Sequence, residues 1–287
     1  VYKRQPLLSV EEIAVISREY MNKVQFLFAG GFIIALAIQK WNLHKRVALN
    51  ILKFSGLNSR GIVASFMVAS AVLSMWVMNT STAIMLLPVG ISVIKVISDT
   101  VNDISDNQKF NFQLCLLLGI AYAASVGGIA TPIGTSPNGV LIQFASNNYD
   151  YDIGFANWIS IGLPITLGLG PLIWIFLTRI IFPVSFSATQ ESKEKLNLML
   201  KKLGPMSNEE KKVIVVFLIT AFFWIFRQLI DNLPGLSLLD DSVIAITGAV
   251  SLFFINESNN KNKLLIWDDV QSGFPWGLIF LFGGGMA

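Results

Sequence analysis

Charge, cysteine and histidine are scarce in this sequence. Charged residues fill 14% of its 287 positions, where soluble domains carry about 25%. From Gly61 to Ile97 the sole charged side chain is Lys95. A single cysteine, Cys115 in an apolar run, excludes an intrachain disulfide. A single histidine, His44, leaves a zinc site without its usual ligands, and among basic neighbours it reads as an interfacial side chain. No carboxylate pair lies inside an apolar run, and no nucleophile stands with a base at membrane depth, which argues against an intramembrane enzyme. The net charge of +3 is spread over loops and forms no concentrated basic face, which argues against a nucleic-acid partner.

What is present is apolar. Hydrophobic residues make up 53% of the chain and mean hydropathy is +0.62. A spanning helix needs roughly 20 mostly apolar residues, and several segments qualify. The expected class is an all-α, polytopic, multi-pass membrane protein. Apolar runs lie at Val24–Gln39, Gly61–Val77, Ala83–Ile97, Asn111–Ala130, Val140–Ser146, Trp158–Pro183, Val213–Ile230 and Ser242–Ile255, with a last one from Phe274. Arg227, near the end of its run, is placed to snorkel. Lys40–Arg60 holds five Lys or Arg and no acid; Val184–Lys212 holds six Lys against four Glu and reads as an amphipathic or surface connection. Basic loops mark the cytoplasmic side. The acidic stretches around Asp150 and over Asp231–Asp241 then fall outside, whether Gly61–Ile97 re-enters or crosses twice. A polar loop is expected around Asp99, Asp103 and Asp106.

Two apolar segments are interrupted. One carries the polar cluster Asn79–Thr82 between its arms; the other breaks over Gly127–Gly139, with Pro132, Pro137 and the hydroxyls of Thr131, Thr135 and Ser136. Irregular backbone inside a bilayer is tolerated only where protein or a cavity surrounds it. Freed carbonyls, hydroxyls and amide oxygens suit a hard cation such as Na⁺. Freed amides at the start of a half-helix suit an anion, because that end carries partial positive charge. One pair of breaks can therefore hold a cation and a carboxylate side by side without a buried charged side chain, and without a side-chain proton relay. The plainer alternatives stay open: Ser74 can bond its own helix, and Ser81 and Thr82 can serve as caps.

The run FLFAGGFIIA (Phe26–Ala35) has an echo in FLFGGGMA (Phe280–Ala287), and counting crossings makes the two antiparallel. Inverted repeats are common in secondary transporters. The chain begins without methionine, shows no signal-peptide pattern and stops inside an apolar run, so both ends read as cut and the second repeat barely begins.

Four stretches resemble the divalent anion/sodium symporter family: FLFAGGFIIALAIQKWNLHKRVAL (Phe26–Leu49), LSMWVMNTSTAIMLLP (Leu73–Pro88), YAASVGGIATPIGTSPNGVL (Tyr122–Leu141) and PWGLIFLFGGGMA (Pro275–Ala287). They tile the chain in family order. The resemblance implies an elevator-type, inverted-repeat transporter with a scaffold domain and a moving transport domain, usually a homodimer. Each repeat then supplies a re-entrant hairpin and an unwound transmembrane helix. By that resemblance Ser74, Met78, Asn79 and Gly134 surround Na⁺, the only metal expected. Asn79, Thr80, Thr82, Thr135 and Ser136 face the substrate, and Pro132, Pro137 and Asn138 fix the unwound turn. The sequence departs twice from the family pattern. Met78 stands where serine is usual, and a thioether is a poor Na⁺ ligand, so either its main-chain carbonyl serves, or the site is rearranged, or coupling differs. Ser136 stands where proline is usual.

The expected division is 1–60, a scaffold-type span with a basic cytoplasmic connection; 61–157, half of a transport domain; 158–273, further spans and a cytoplasmic connection; and 274–287, the start of the second repeat. The expected function is sodium-coupled symport of a di- or tricarboxylate such as succinate, malate or fumarate. It would take place in a membrane that the resemblance makes the bacterial inner one. The alternatives are sulfate symport or sodium-independent dicarboxylate exchange on the same fold. Expected partners are the carboxylate, sodium ions, membrane lipid and, at full length, a second copy; no cofactor is expected beyond Na⁺ as coupling ion.

Overall fold

In the computed structural model, several helices start where the sequence offers a capping oxygen. Asn22 accepts from the Gln25 amide at 2.9 Å, Asn58 from Arg60 at 3.0 Å, Ser105 from Gln108 at 3.3 Å and Asp240 from Ser242 at 2.9 Å. Ser207 and Glu210 form a reciprocal capping box, the Ser207 amide donating to Glu210 Oε2 at 2.6 Å and the Glu210 amide to Ser207 Oγ at 3.1 Å. The structure describes residues 13–53, 56–101, 104–230, 239–258 and 262–286. Among them are thirteen α-helices: α1 (Ile13–Glu19), α2 (Lys23–Lys40), α3 (Leu43–Leu52), α4 (Ser59–Ser74), α5 (Asn79–Thr100), α6 (Asp106–Ile129), α7 (Ser136–Tyr149), α8 (Phe155–Ile175), α9 (Gln190–Lys202), α10 (Asn208–Ile230), α11 (Asp241–Phe254), α12 (Trp267–Gly273) and α13 (Trp276–Met286). A π-helical segment, Phe176–Ile181, continues α8. No strand occurs among the described residues.

Among the described residues four helical stretches are long and apolar enough to cross a membrane: α2, α5, α6, and α8 with its π extension. Helices α4 and α11 are apolar but shorter. Most of α8 and its π extension is exposed, including Ile161, Leu167, Leu172 and Phe176, the surface expected where lipid tails rather than protein are the neighbours.

The chain divides into two compact units. One comprises Val1–Trp41, Ser136–Ser160 and Ser207–Ala287. Within it α2 packs on α11, with Gly30 against the Ala245 backbone; a β-carbon at Gly30 would lie 2.5 Å from the Ala245 carbonyl carbon. Phe28 packs against Phe282 of α13, ring centroids 5.7 Å apart. Near the start of α11, Asp241 is 7% exposed, pairs with Arg227 of α10 at 3.1 Å and accepts from the Phe155 amide at 2.8 Å. Beside it the rings of Phe155 and Trp224 stack at 4.5 Å. Arg227 therefore pairs with a buried acid rather than merely snorkelling. The acid gains from the partial positive charge of the α11 N-terminus as well as from the guanidinium. At the other end of α2, Lys40 pairs with Asp269 at 2.7 Å and the Trp41 indole donates to the Leu264 carbonyl at 3.0 Å.

The other unit comprises Asn42–Thr135 and Ile161–Met206. Its core follows helical periodicity. Leu86, Val89, Val93 and Ile97 line one face of α5, and Phe112, Leu116, Ile120 and Ala123 one face of α6; Ile62, Val63, Phe66 and Leu73 of α4 pack into the same cluster. Hydroxyls tie the helices across this apolar core. Ser70 Oγ donates to the Ile120 carbonyl at 2.7 Å and Thr166 Oγ1 to Val126 at 2.9 Å, each worth roughly 0.6–2 kcal/mol between apolar helices. The thiol of Cys115 donates to the carbonyls of Leu177 and Phe182, and Asn111 Nδ2 to Pro183. The buried faces of α6 thus hold the π segment and its exit. The amphipathic connection appears as α9, anchored where Ser192 Oγ meets Thr100 Oγ1 at 2.6 Å.

Several boundaries differ from expectation. The polar cluster Asn79–Thr82 is not the link between hairpin arms but the first turn of α5; the link is Met75–Met78. The second break is confined to Ala130–Thr135, because Gly127 and Gly128 stay helical in α6 and α7 already begins at Ser136. Pro137 sits in the first turn of α7, where a missing N–H costs no helical bond. Asp99 lies in α5 and Asp106 starts α6, while Asp103 falls outside the described residues. His44 is buried on α3 rather than interfacial. Of the acidic stretch Asp231–Asp241, residues 231–238 also fall outside the described residues.

Candidate functional site

At the hairpin tip Trp76 and Val77 both donate to the Leu73 carbonyl, at 3.1 and 2.9 Å, which carries a last turn of helical bonding past the end of α4. Helix α5 then starts at Asn79, with Met78 in the N-cap position making no side-chain cap. The Met78 carbonyl accepts the Thr82 amide at 2.9 Å, the first bond of the helix. Thr82 is 1% exposed, and its hydroxyl donates to the Val77 carbonyl at 3.3 Å, back into the hairpin. Thr80, on the same turn, is exposed.

The second break meets this tip. Asn79 Oδ1 accepts from Ser74 Oγ at 2.7 Å, and Asn79 Nδ2 donates to Thr135 Oγ1 at 3.3 Å. Ser74 is fully buried and its hydroxyl goes to Asn79, not to its own helix. Thr131 Oγ1 donates to the Met75 carbonyl at the entrance to the tip. A β-carbon on Gly134 would lie 2.9 Å from the Ser74 carbonyl oxygen, which places the two backbones side by side. Ser74, Asn79, Gly134 and Thr135 thus come together in one unit. Pro132 is buried in the turn between them. Ser136, Pro137 and Asn138 follow directly in the chain at the start of α7, in the other unit.

The Asn79 amide fits its surroundings in two orientations. In one it makes the bonds just given, with Oδ1 turned toward Ser74 Oγ and the carbonyls of Ala124 and Gly134. Rotated, its nitrogen donates to the carbonyls of Ala124 at 3.1 Å and Gly134 at 3.2 Å, and to Ser74 Oγ at 2.7 Å. Either way one edge of the amide is surrounded by oxygens: the Ser74 hydroxyl and two main-chain carbonyls. In the rotated orientation the amide N–H groups satisfy these oxygens; with the amide oxygen turned toward them, a hard cation would join neutral oxygen ligands. Among the described residues no group of three or more His, Cys, Asp or Glu could hold a metal ion, so a cation here would meet neutral ligands only. That suits a weakly held monovalent ion better than a divalent one, whose affinity rises with ligand charge.

Sequence reasoning missed Ala124, which stands in the apolar helical part of the second stretch, six residues before its irregular part, with no polar side chain to mark it; Gly128 it counted in the break without giving it a role. It also left Thr131 without a role. A separate cavity of about 340 Å³ in the unit containing α2 is lined by Lys23, Gln143, Asp152 and Arg227 and holds none of the expected site residues.

Apolar spanning helices and a helical hairpin closed against a helix break define a polytopic integral membrane protein. Residues 5–287 match the transmembrane region of the sodium:sulfate symporters, and the chain belongs to that family. It is 37% identical over 284 residues to a sodium-dependent dicarboxylate transporter, SdcS, of Staphylococcus saprophyticus, covering 98% of this chain and 54% of that protein. It is 36% identical over 276 residues to the protein of the same name from Staphylococcus aureus strain USA300, covering 95% of this chain and 53% of that one. The chain spans about half the length of these curated relatives. The family and these relatives are transporters, not enzymes.

Proposed function

We propose that the full-length protein is a secondary active transporter that couples the entry of Na⁺ to uptake of a dicarboxylate such as succinate, malate or fumarate. The observation that carries this reading is the meeting of the hairpin tip with the second break, where Ser74 Oγ and Thr135 Oγ1 both hydrogen-bond Asn79 and Gly134 lies beside the Ser74 carbonyl. Sodium is the ion that fits uncharged oxygens supplied by a hairpin tip and an unwound turn. In this proposal Ser74, Asn79, Gly134 and the second lone pair of the Met78 carbonyl hold Na⁺. Thr80, Thr135 and Ser136, with the other edge of Asn79, meet the substrate carboxylate. Thr82, whose hydroxyl is engaged within the hairpin, acts through the shape of the tip rather than by contact. Sodium closes the hairpin against the loop, and the anion site exists only once that closure is made. Coupling then needs no charged side chain in the site.

The names of the relatives favour a dicarboxylate over sulfate as cargo. The elevator movement, the inverted repeat, the assignment of spans to scaffold and transport parts, the homodimer and the bacterial inner-membrane location belong to the same proposal. The test is uptake of radiolabelled succinate by proteoliposomes of the full-length protein, with Na⁺ outside or replaced by choline. Uptake is expected in Na⁺ and abolished in choline. Equal uptake in the two sinks sodium coupling, and sulfate uptake without succinate uptake sinks the cargo.

A further inference from the structure

Two adjacent glycines end α6 beside the hairpin, and they face different things. A β-carbon on Gly127 would lie 2.3–2.8 Å from backbone atoms of Ala71 on α4. A β-carbon on Gly128 would meet no backbone at such range; it would lie 2.3 Å from Asn79 Oδ1, 3.1 Å from Cγ and 3.2 Å from Nδ2. Gly127 is therefore a packing glycine, while the bare Cα of Gly128 forms one wall of the space occupied by the Asn79 amide. Three residues on, Thr131 is fully buried and donates to the Met75 carbonyl, fixing the tip from which Asn79 projects.

We infer that Gly128 and Thr131 are positioning residues that set the place and orientation of the Asn79 amide, and through it the affinity for sodium. The inference rests on the functional reading above. It adds residues that touch neither ion nor substrate: one shapes the floor under the amide, the other fixes the backbone that carries it. A methyl group at position 128 displaces the end of a side chain and leaves the helix contact intact, so the fold survives while the amide moves. A methyl group at position 127 has no such outlet and pushes α4 away.

The test measures sodium-dependent succinate uptake by the full-length protein while sodium is varied, in Gly128→Ala, Thr131→Val and Thr131→Ser. Gly128→Ala and Thr131→Val are expected to raise the half-saturating sodium concentration about fivefold or more, the size of one lost hydrogen bond. Thr131→Ser keeps the hydroxyl and is expected within about twofold of wild type on the same scale. A role in stability alone would lower the amount of folded protein and the maximal rate, and leave the sodium half-saturation where it is. If Gly128→Ala fails to fold, the Thr131 pair decides. Wild-type uptake that depends on sodium, with half-saturation unmoved in the variants that fold, overturns this inference alone. Wild-type uptake that ignores sodium overturns the functional reading and this inference with it.

Discussion

At the scale of single residues, Met78 departs from what its place in the fold favours. It occupies the N-cap of α5 and supplies no capping oxygen, although Ser, Thr, Asp and Asn are preferred there. Its carbonyl accepts the Thr82 amide, the first bond of the helix. Met78→Ser is expected to stabilise the full-length protein by about 1 kcal/mol through the restored cap, seen as a raised unfolding temperature in detergent. It is also expected to lower the half-saturating sodium concentration, because a capped helix holds Asn79 more firmly. An unchanged sodium affinity alongside a raised unfolding temperature would confine Met78 to the helix start and remove it from the ion site.

At the scale of elements, helix ends carry the polar work in an otherwise apolar chain. Asp240 caps α11 through the amide and hydroxyl of Ser242 and pairs with Lys23 of α2 at 3.3 Å. Burial pushes its carboxyl up, but the Ser242 bonds and the Lys23 ammonium outweigh burial and hold it below the ordinary carboxylate range. A carboxyl depressed in the folded state stabilises that state above its unfolded value of about 4, and the stabilisation is lost as the pH falls through the lower folded value. Asp240→Asn keeps an amide oxygen able to cap α11 and removes the charge that meets Lys23. The unfolding temperature of wild type is therefore expected to exceed that of Asp240→Asn at pH 7, and the gap to close progressively below about pH 4. A gap that stays constant across that range would assign the difference to packing rather than to charge.

At the scale of the whole molecule, the length matters most. The chain spans about half of the relatives it matches. In the proposed two-repeat architecture the substrate site is completed by a second hairpin and a second unwound turn, related to the first by the inverted repeat. Residues 1–287 alone, reconstituted into proteoliposomes, are therefore expected to show no sodium-dependent succinate uptake. Uptake by that polypeptide would overturn the need for a second repeat and place both cation and anion sites within the described hairpin and turn.

The class of the protein follows from composition alone: a chain this poor in charge, with apolar runs of spanning length, has few other folds open to it. The two interruptions are equally legible, since proline, glycine and clustered hydroxyls break the regular helix that a bilayer otherwise enforces on an apolar run. Their boundaries are not, because local composition does not say on which side of a cap a polar residue falls. Asn79–Thr82 looks like a loop and is a helical turn, since its amides are followed by an unbroken apolar face that packs on α6. The convergence of Ser74, Asn79, Gly134 and Thr135 was reached through family resemblance, not spacing, because residues fifty-odd positions apart meet only when two helices close on each other. Ala124, the approach of Gly128 to Asn79 and the Arg227–Asp241 pair were invisible for the same reason. A glycine gains meaning from what occupies its missing side chain's place, a carbonyl from what lies opposite it, and a buried acid from the cation another helix brings. Sequence determines which polar groups an apolar chain carries into the membrane; tertiary packing decides which of them meet.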